Sequence, residues 1–146
     1  MNMQMADEQV SSGSADRPVD VPAVLAAAGD AIVVVDRDGV ITLWNRAAEE
    51  ITGFSAETAI GQTLALLVPD VHRSRHIAAF HQAMDSGVLR HQGRPAKVEA
   101  LRASGGVVGL AMSLGLLRGP DGAATGAVAI LRTTERLVPF VNGADG

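Results

Sequence analysis

The chain has 146 residues, of which 47% are hydrophobic and 19% charged, which is enough apolar surface for one domain with a single core. Its net charge of −4 and aromatic content of 3% argue against nucleic acid as a partner, because phosphate binding favours a basic face and single strands favour aromatic platforms. The absence of cysteine excludes disulfides, thiolate metal sites and cysteine nucleophiles.

The chain begins with a polar segment. Residues 1–20 are rich in Ser, Gly and Asp and lack periodicity, which predicts a disordered tail and does not match a secretory signal. No apolar run is long enough to cross a membrane. We therefore expect a cytoplasmic protein without membrane contact, with one domain over 21–137 and a C-terminal tail over 138–146.

A short helix and a hairpin are predicted next. Residues 21–30 are mostly apolar and are expected to form a short helix that Gly29 ends. Residues 31–45 predict a β-hairpin, because two β-branched runs flank the segment 36–39. The Asp-Gly pair in that segment supplies the positive φ that a tight turn requires.

Three helices are predicted after the hairpin. Asn45 is a suitable N-cap for the first, which Gly53 ends, and Ser55 is a suitable N-cap for the second. The third and longest helix is expected over 71–86, with Gly87 at its end.

The last part of the chain predicts three antiparallel strands, at 96–103, 106–118 and 124–133. Apolar residues recur there at short spacing, and glycine-rich turn signals separate the three runs. The order of strands and helices indicates an α+β domain in which helices cover one face of a single sheet.

Several motifs together resemble a PAS domain. They are the Asp-x-Asp-Gly turn at 36–39, Trp-Asn at 44–45, Ala-Glu-x-x-x-Gly-Phe at 48–54, Ile-Gly at 60–61 before an apolar run and Pro69, and Thr-Glu-Arg at 134–136. The Asp that usually precedes the last motif is missing. The resemblance covers about 21–137 and implies a five-stranded antiparallel sheet with helices packed on one face. It also implies a pocket between sheet and long helix, in a family of sensors and docking modules.

The long helix carries a candidate ligand to a cofactor. Ile77, Phe80 and Met84 recur at helical spacing and are expected to face the sheet. His76 lies one turn before Phe80, on or beside that apolar stripe. A neutral imidazole on an apolar pocket wall is a good axial ligand for haem iron.

The two other histidines of this helix are weaker candidates. His72 lies one turn before His76, near the start of the helix, and His81 is expected to point outward or to a rim. The spacing of His72 and His76 also suits zinc, but the sequence offers no clear third ligand.

The segment 67–87 resembles the corresponding helix of haem-binding PAS oxygen sensors of the FixL type. In that family a Pro-acidic-x-x-Arg-x-x-His run ends in the proximal histidine, which matches His76 here. The resemblance implies haem b as the cofactor and His76 and Met112 as metal ligands. The implied cofactor-binding residues are His76, Phe80, Met84, Arg90 beside a propionate, and Met112 and Leu114 on the distal wall.

One position departs from the family. Its distal arginine, which donates to bound oxygen, aligns with Ala96 in this chain. Three alternatives stay open: oxygen is not the ligand, Arg94 or His91 substitutes for the arginine, or Met112 coordinates the iron as a methionine does in related sensors.

Other functions are also consistent with the sequence. A cofactor-free domain that dimerises or docks, or that binds a small ligand, is the main alternative to haem. Flavin is a weaker alternative, because residues 85–131 offer few aromatic or amide side chains.

No Gly-rich phosphate loop or Gly-x-Ser-x-Gly motif occurs, so we expect no enzyme. The apolar helix at 21–30 favours a homodimer, and a separate output protein such as a kinase or regulator would receive the signal.

Overall fold

The computed structural model describes residues 17–90 and 93–134 and shows an α+β arrangement. The strands are β1 (Ala31–Asp36), β2 (Ile41–Trp44), β3 (Ala96–Leu101), β4 (Val107–Arg118) and β5 (Ala124–Thr133). The helices are α1 (Val21–Ala27), α2 (Arg46–Thr52), α3 (Ala56–Ala59) and α4 (Asp70–Ser86), with a 3-10 turn at Leu64–Leu66.

The five strands form one antiparallel sheet in the order β2-β1-β5-β4-β3. The last strand of the chain therefore lies at the centre, between the first hairpin and the hairpin of β3 and β4. The predicted fold class is confirmed, including all five strands and the long helix between the second and third.

The turn between β1 and β2 has the conformation that its sequence predicts. One carboxylate oxygen of Asp36 accepts hydrogen bonds from the backbone N–H groups of Asp38 and Val40, at 2.9 and 3.0 Å. Gly39 has a φ of +83°, which is favourable only for residues that tolerate the left-handed region. The side chain of Asp38 takes no part in these turn hydrogen bonds.

Asn45 joins the hairpin to the first two helices. Its buried side-chain oxygen accepts from the N–H groups of Ile32 and Ala48, at 2.9 and 3.1 Å. Its amide nitrogen donates to the carbonyls of Leu25 and Asp30, at 3.0 and 3.1 Å. Every hydrogen-bonding position of this buried amide is thus used. Asn45 therefore stabilises the junction of the hairpin with α1 and α2, in addition to the helix cap that the sequence predicts.

The core lies between the sheet and the helices. Ile41 and Leu110 are its most deeply buried large side chains, one from each half of the sheet. Trp44 on the edge strand β2 is also buried, and its indole N–H donates to the carbonyl of Phe54 at 2.9 Å. The indole ring therefore packs into the core at its β2 edge, and its polar N–H group is hydrogen-bonded there.

Element boundaries differ from the sequence prediction by two residues at two of the ends. The first helix ends at Ala27, before Gly29, because Ala28 is already extended and leads the chain toward β1. Strand β3 ends at Leu101, since residues 102–106 form a turn closed by hydrogen bonds between Arg102 and Gly106 and between Arg102 and Gly105.

The predicted domain limits remain predictions. The tails at 1–20 and 138–146, and the limit at 137, fall wholly or largely outside the described residues. Within residues 17–90 and 93–134, no helix is long and apolar enough to cross a membrane.

Candidate functional site

Helix α4 is fixed in place at both of its ends. At the start, the Arg73 side chain pairs with Asp70 and donates to the carbonyl of Val68 at 2.9 Å. At the end, Gly87 adopts a φ of +71° and its N–H bonds to the carbonyl of Ala83 at 2.8 Å. This glycine cap ends the helix where the sequence predicts.

A cavity of about 700 Å³ lies between α4 and the inner face of the sheet. Apolar side chains from β1, β3, β4 and β5 form its floor, and those from α4 and from the segment that precedes it form its roof. A volume of this size is within the range of about 300–1,000 Å³ that small-molecule and cofactor sites occupy.

Five of the six predicted cofactor-binding residues line this one cavity. His76, Phe80 and Met84 contribute from α4, and Met112 and Leu114 contribute from β4 on the opposite wall. The sixth, Arg90, is exposed just after α4 and is not among the lining residues. The structure thus brings the predicted iron ligands to one space and leaves the predicted propionate partner outside it.

The apolar stripe predicted for α4 is wrong in one position. Ile77 is 49% exposed and does not line the cavity, whereas His72, His76 and Phe80 do. The inward face follows the i, i+4 series through Phe80 and Met84, and Ile77 is rotated about 100° from His76 around the helix axis. Histidines therefore occupy the two positions of this face nearest the helix start.

His76 is half-buried, and burial lowers the pKa of its imidazole below the usual value. No charge or hydrogen bond contributes to this shift. The ring is therefore neutral at pH 7, which leaves a nitrogen lone pair available as a ligand. Since no described residue hydrogen-bonds to the ring, its polar atoms are free to interact with a bound molecule or with water.

His72 has a different environment. It is exposed, and its Nδ1 lies 3.0 Å from the guanidinium of Arg75. His81 is exposed as predicted, with its ring 5.7 Å from the Phe80 ring in an edge-on arrangement. Within the described residues, no three His, Cys, Asp or Glu side chains are close enough to hold a metal ion, so no third ligand for zinc joins His72 and His76.

The wall opposite α4 contains few polar side chains. Ala96 pairs with Met112, which lines the cavity, and the polar residues Lys97, Glu99 and Thr134 also line it. Arg94 is exposed, and His91 lies outside the described residues. At the position that aligns with the family's distal arginine, this wall therefore has a methyl group and no hydrogen-bond donor.

A smaller pocket of about 210 Å³ lies on the other flank of α4, and the sequence did not predict it. It is bounded by Asp38 and Gly39 of the hairpin turn, by residues 63–65, and by α4. His76 and Phe80 line both this side pocket and the main cavity. The Asp-Gly turn was the signal that could have located it, but the sequence does not show how close that turn comes to α4.

Comparisons with known proteins agree with this architecture. The model of the family described as PAS fold matches residues 20–134. The chain is 33% identical over 86 residues to the sensor protein FixL of Bradyrhizobium diazoefficiens, a match that covers 57% of this chain and 17% of FixL. An uncharacterized protein of Azorhizobium caulinodans is 36% identical over 86 residues, covering 58% of this chain and 12% of that protein. The chain thus matches less than a fifth of either relative.

Solved structures show the same fold. A PAS domain from Colwellia psychrerythraea superposes with a TM-score of 0.65 at 27% identity, covering 76% of this chain and 91% of that domain. The PAS domain of the Cronobacter turicensis quorum-sensing receptor RpfR, in complex with C12:0, gives a TM-score of 0.57 at 19% identity, covering 76% and 99%. With five antiparallel strands in this order, helices on one face and a family match over 20–134, the chain belongs to the PAS fold family.

Proposed function

We propose that this chain is a haem-binding sensory domain in which the imidazole of His76 would hold the iron of haem b. The observation that carries the proposal is a neutral, half-buried histidine without a hydrogen-bond partner among the described residues, on the wall of an apolar cavity of about 700 Å³. A polar ring that is left unpaired in an apolar site is unfavourable unless a bound molecule or water uses it.

The residues present fit a haem. Apolar side chains from four strands and α4 can enclose a large flat hydrophobic ring, while His76 would provide the nitrogen ligand. The iron of such a group would supply a site for a diatomic gas or a change of oxidation state. Arg90 is exposed beside the end of α4, where a basic group can pair with a propionate that extends into solvent. Similarity to the sensor protein FixL over 86 residues supports the same assignment.

Met112 is the proposed second metal ligand. It lies on the wall opposite His76, and its thioether is a weak acceptor among neighbours such as Leu110 and Leu114 that have no side-chain lone pair. Ala96, which is paired with it, offers no donor that could stabilise bound oxygen. The proposed signal is a diatomic gas or the oxidation state of the iron.

The first prediction tests His76 by replacement. His76→Ala should abolish hemin binding or weaken it strongly, because no other imidazole in the described cavity wall is half-buried. His72→Ala and His81→Ala are the matched controls and should keep most of the affinity, since both rings are exposed. Binding is measured by titrating hemin and following the Soret absorbance. If His72→Ala lost binding and His76→Ala kept it, the ligand assignment would be wrong.

The second prediction concerns the coordination number. Met112→Leu keeps the volume and apolar character of the side chain but removes the sulfur lone pair. If the sulfur coordinates the iron, the variant should convert a six-coordinate absorption spectrum into a five-coordinate one. Met84→Leu is the matched control, because it removes a thioether from the α4 side of the same cavity, and it should leave the spectrum six-coordinate. An unchanged six-coordinate spectrum in Met112→Leu would contradict the assignment.

A second candidate function is the binding of a small apolar ligand without metal. The largely apolar lining of the main cavity favours it. The same fold accommodates C12:0 in the receptor RpfR. Absorbance separates the candidates, since a haem protein has a Soret band, a flavoprotein is yellow and a domain with an aliphatic ligand is colourless.

We propose further that the domain acts as a homodimer and passes its signal to an output protein such as a kinase or regulator. Val21 and Val24 on α1 are 57% and 54% exposed, so this helix has an apolar face available for a second copy. Strand β4 carries Met112 and Leu114 toward the cavity and pairs with the central strand β5. A change at the cavity wall would therefore reach the whole sheet through its hydrogen-bonded strands.

A further inference from the structure

The two edges of the sheet differ in what covers them. The outer side of β2 is covered, because the N–H of Ile41 donates to the carbonyl of Gln62 at 2.8 Å and the carbonyl of Ile41 accepts from Gly61 at 2.9 Å. At β3, among the residues that the structure describes, only Leu101 is held in this way, by its N–H bond to the carbonyl of Leu67 at 2.8 Å. The remainder of that edge therefore has backbone groups available to an added strand.

The open backbone groups of β3 belong to Lys97 and Glu99. The N–H of Leu101 points away from β4, and the backbone groups of every second residue of a strand point to the same edge. The side chains of Lys97 and Glu99 are exposed, lie on one face of the strand and form no ion pair with another described residue. Opposite them on β4 lie Ala111 and Gly109, which offer neither charge a partner.

These two charges select one way in which two such edges can pair. Charged residues on an open edge usually keep a second strand away, but a cation and a carboxylate two residues apart are complementary to their own copy. An antiparallel pairing of two copies that brings the open groups together is centred on position 97, 98 or 99. Centring on Lys97 places two lysines opposite each other, and centring on Glu99 places two carboxylates there. Only centring on Val98 places opposite charges together, which is the favourable arrangement across strands.

We propose that β3 pairs with β3 of a second copy of this chain, antiparallel and centred on Val98. Lys97 of each copy lies opposite Glu99 of the other, and each of these opposite pairs exchanges both of its backbone hydrogen bonds. One continuous sheet then runs across both copies. Lys97, Val98 and Glu99 also line the main cavity, so the second copy lies along one wall of that cavity. This contact uses no residue of α1, and it does not depend on the group that fills the cavity.

Charge reversal tests the pairing. Lys97→Glu and Glu99→Lys each place like charges opposite each other and should raise the dissociation constant of this contact about tenfold. The double variant Lys97→Glu/Glu99→Lys exchanges the two charges and should associate as wild type does. Glu57→Lys is the control, because it makes the same charge change at an exposed residue of α3, and it should also match wild type. Sedimentation velocity over a concentration series measures association, and any contact through α1 stays the same in every variant.

An equimolar mixture of the two single variants gives the sharpest outcome. One variant carries Glu at positions 97 and 99 and the other carries Lys at both, so each should fail to pair with itself and should pair with the other. Single variants that associate as wild type does would overturn the proposal. A mixture or a double variant that stays as weak as the single variants would overturn it too. Thermal unfolding of each variant confirms that it is folded.

A disulfide tests the register. Residues that face each other in a non-hydrogen-bonded antiparallel pair have Cα atoms about 4.5 Å apart, which a disulfide can span. Because the chain contains no cysteine, Val98→Cys allows a disulfide only between two copies. Mild oxidation should convert most of this variant into a covalent dimer, whereas Thr42→Cys, on the covered edge strand β2, should stay largely uncrosslinked. Equal crosslinking of the two variants, or none in Val98→Cys, would contradict a pairing centred on Val98.

Discussion

At the scale of single residues, Gly126 shows how little space the central strands leave. It lies on β5 opposite Asp36, and a Cβ atom at this position would overlap the carbonyl oxygen of Val35 and lie 3.3 Å from the Asp36 Cα. Both contacts are with backbone, which cannot move aside without breaking the pairing of β1 and β5. The glycine is required by this close approach of strands.

The third prediction follows from this contact. Gly126→Ala should lower the free energy of unfolding by about 1–3 kcal/mol, as overpacking in a dense interior does. Gly29→Ala is the control, because nothing lies within 4 Å of a Cβ atom built there, and its effect should stay within about 0.5 kcal/mol. Urea denaturation measures both values. Equal stabilities of the two variants would show that the strands can separate at Gly126 without cost.

The candidate site could be predicted from the sequence only in part, and the residues of α4 show why. The helical spacing placed Phe80 and Met84 on the inward face correctly, because both are apolar and one turn apart. It placed Ile77 there wrongly, since periodicity does not show which edge of an apolar stripe meets the sheet. The side pocket could not be predicted, because it depends on how closely the hairpin turn approaches α4.

At the scale of secondary-structure elements, the end of α4 is held by two arginines, Arg37 from the turn between β1 and β2 and Arg118 from β4. Arg37 donates to the carbonyls of Met84 at 3.3 Å and Ala124 at 2.7 Å, and Arg118 donates to the carbonyl of Gly87 at 2.7 Å. Cations are favourable at this end of a helix because its last carbonyls lack partners. The cavity roof is thereby fixed at the end where Met84 is buried, whereas its start carries the exposed His72.

The fourth prediction tests this attachment. Arg37→Ala should reduce stability by about 1 kcal/mol, because its bonds to carbonyls are lost but half of the side chain is exposed to water. Hydrogen exchange of the backbone N–H groups in the last turn of α4 should become faster. Arg46→Ala removes only an exposed pair with Glu50 on one helix and should change neither quantity. Unchanged exchange in Arg37→Ala would mean that packing alone holds the helix end.

At the scale of the whole molecule, the fold could be predicted almost completely from the sequence. Turn residues at 36–39 and 119–122 and the apolar runs between them were sufficient to identify five strands and their antiparallel pairing. The sheet order was not predicted, because β5 lies beside β1 through contacts between residues about a hundred positions apart. Local patterns do not specify such contacts, as the bidentate pair of Asp30 with Arg132 illustrates.

The central claim is that the main cavity binds haem, and an absorption spectrum of the purified protein with increasing hemin tests it most directly. We expect a Soret band that is shifted from that of free hemin and saturates at an equimolar ratio, because the cavity offers one half-buried imidazole in a largely apolar wall. A titration in which the spectrum stays equal to that of free hemin at every ratio would contradict the claim.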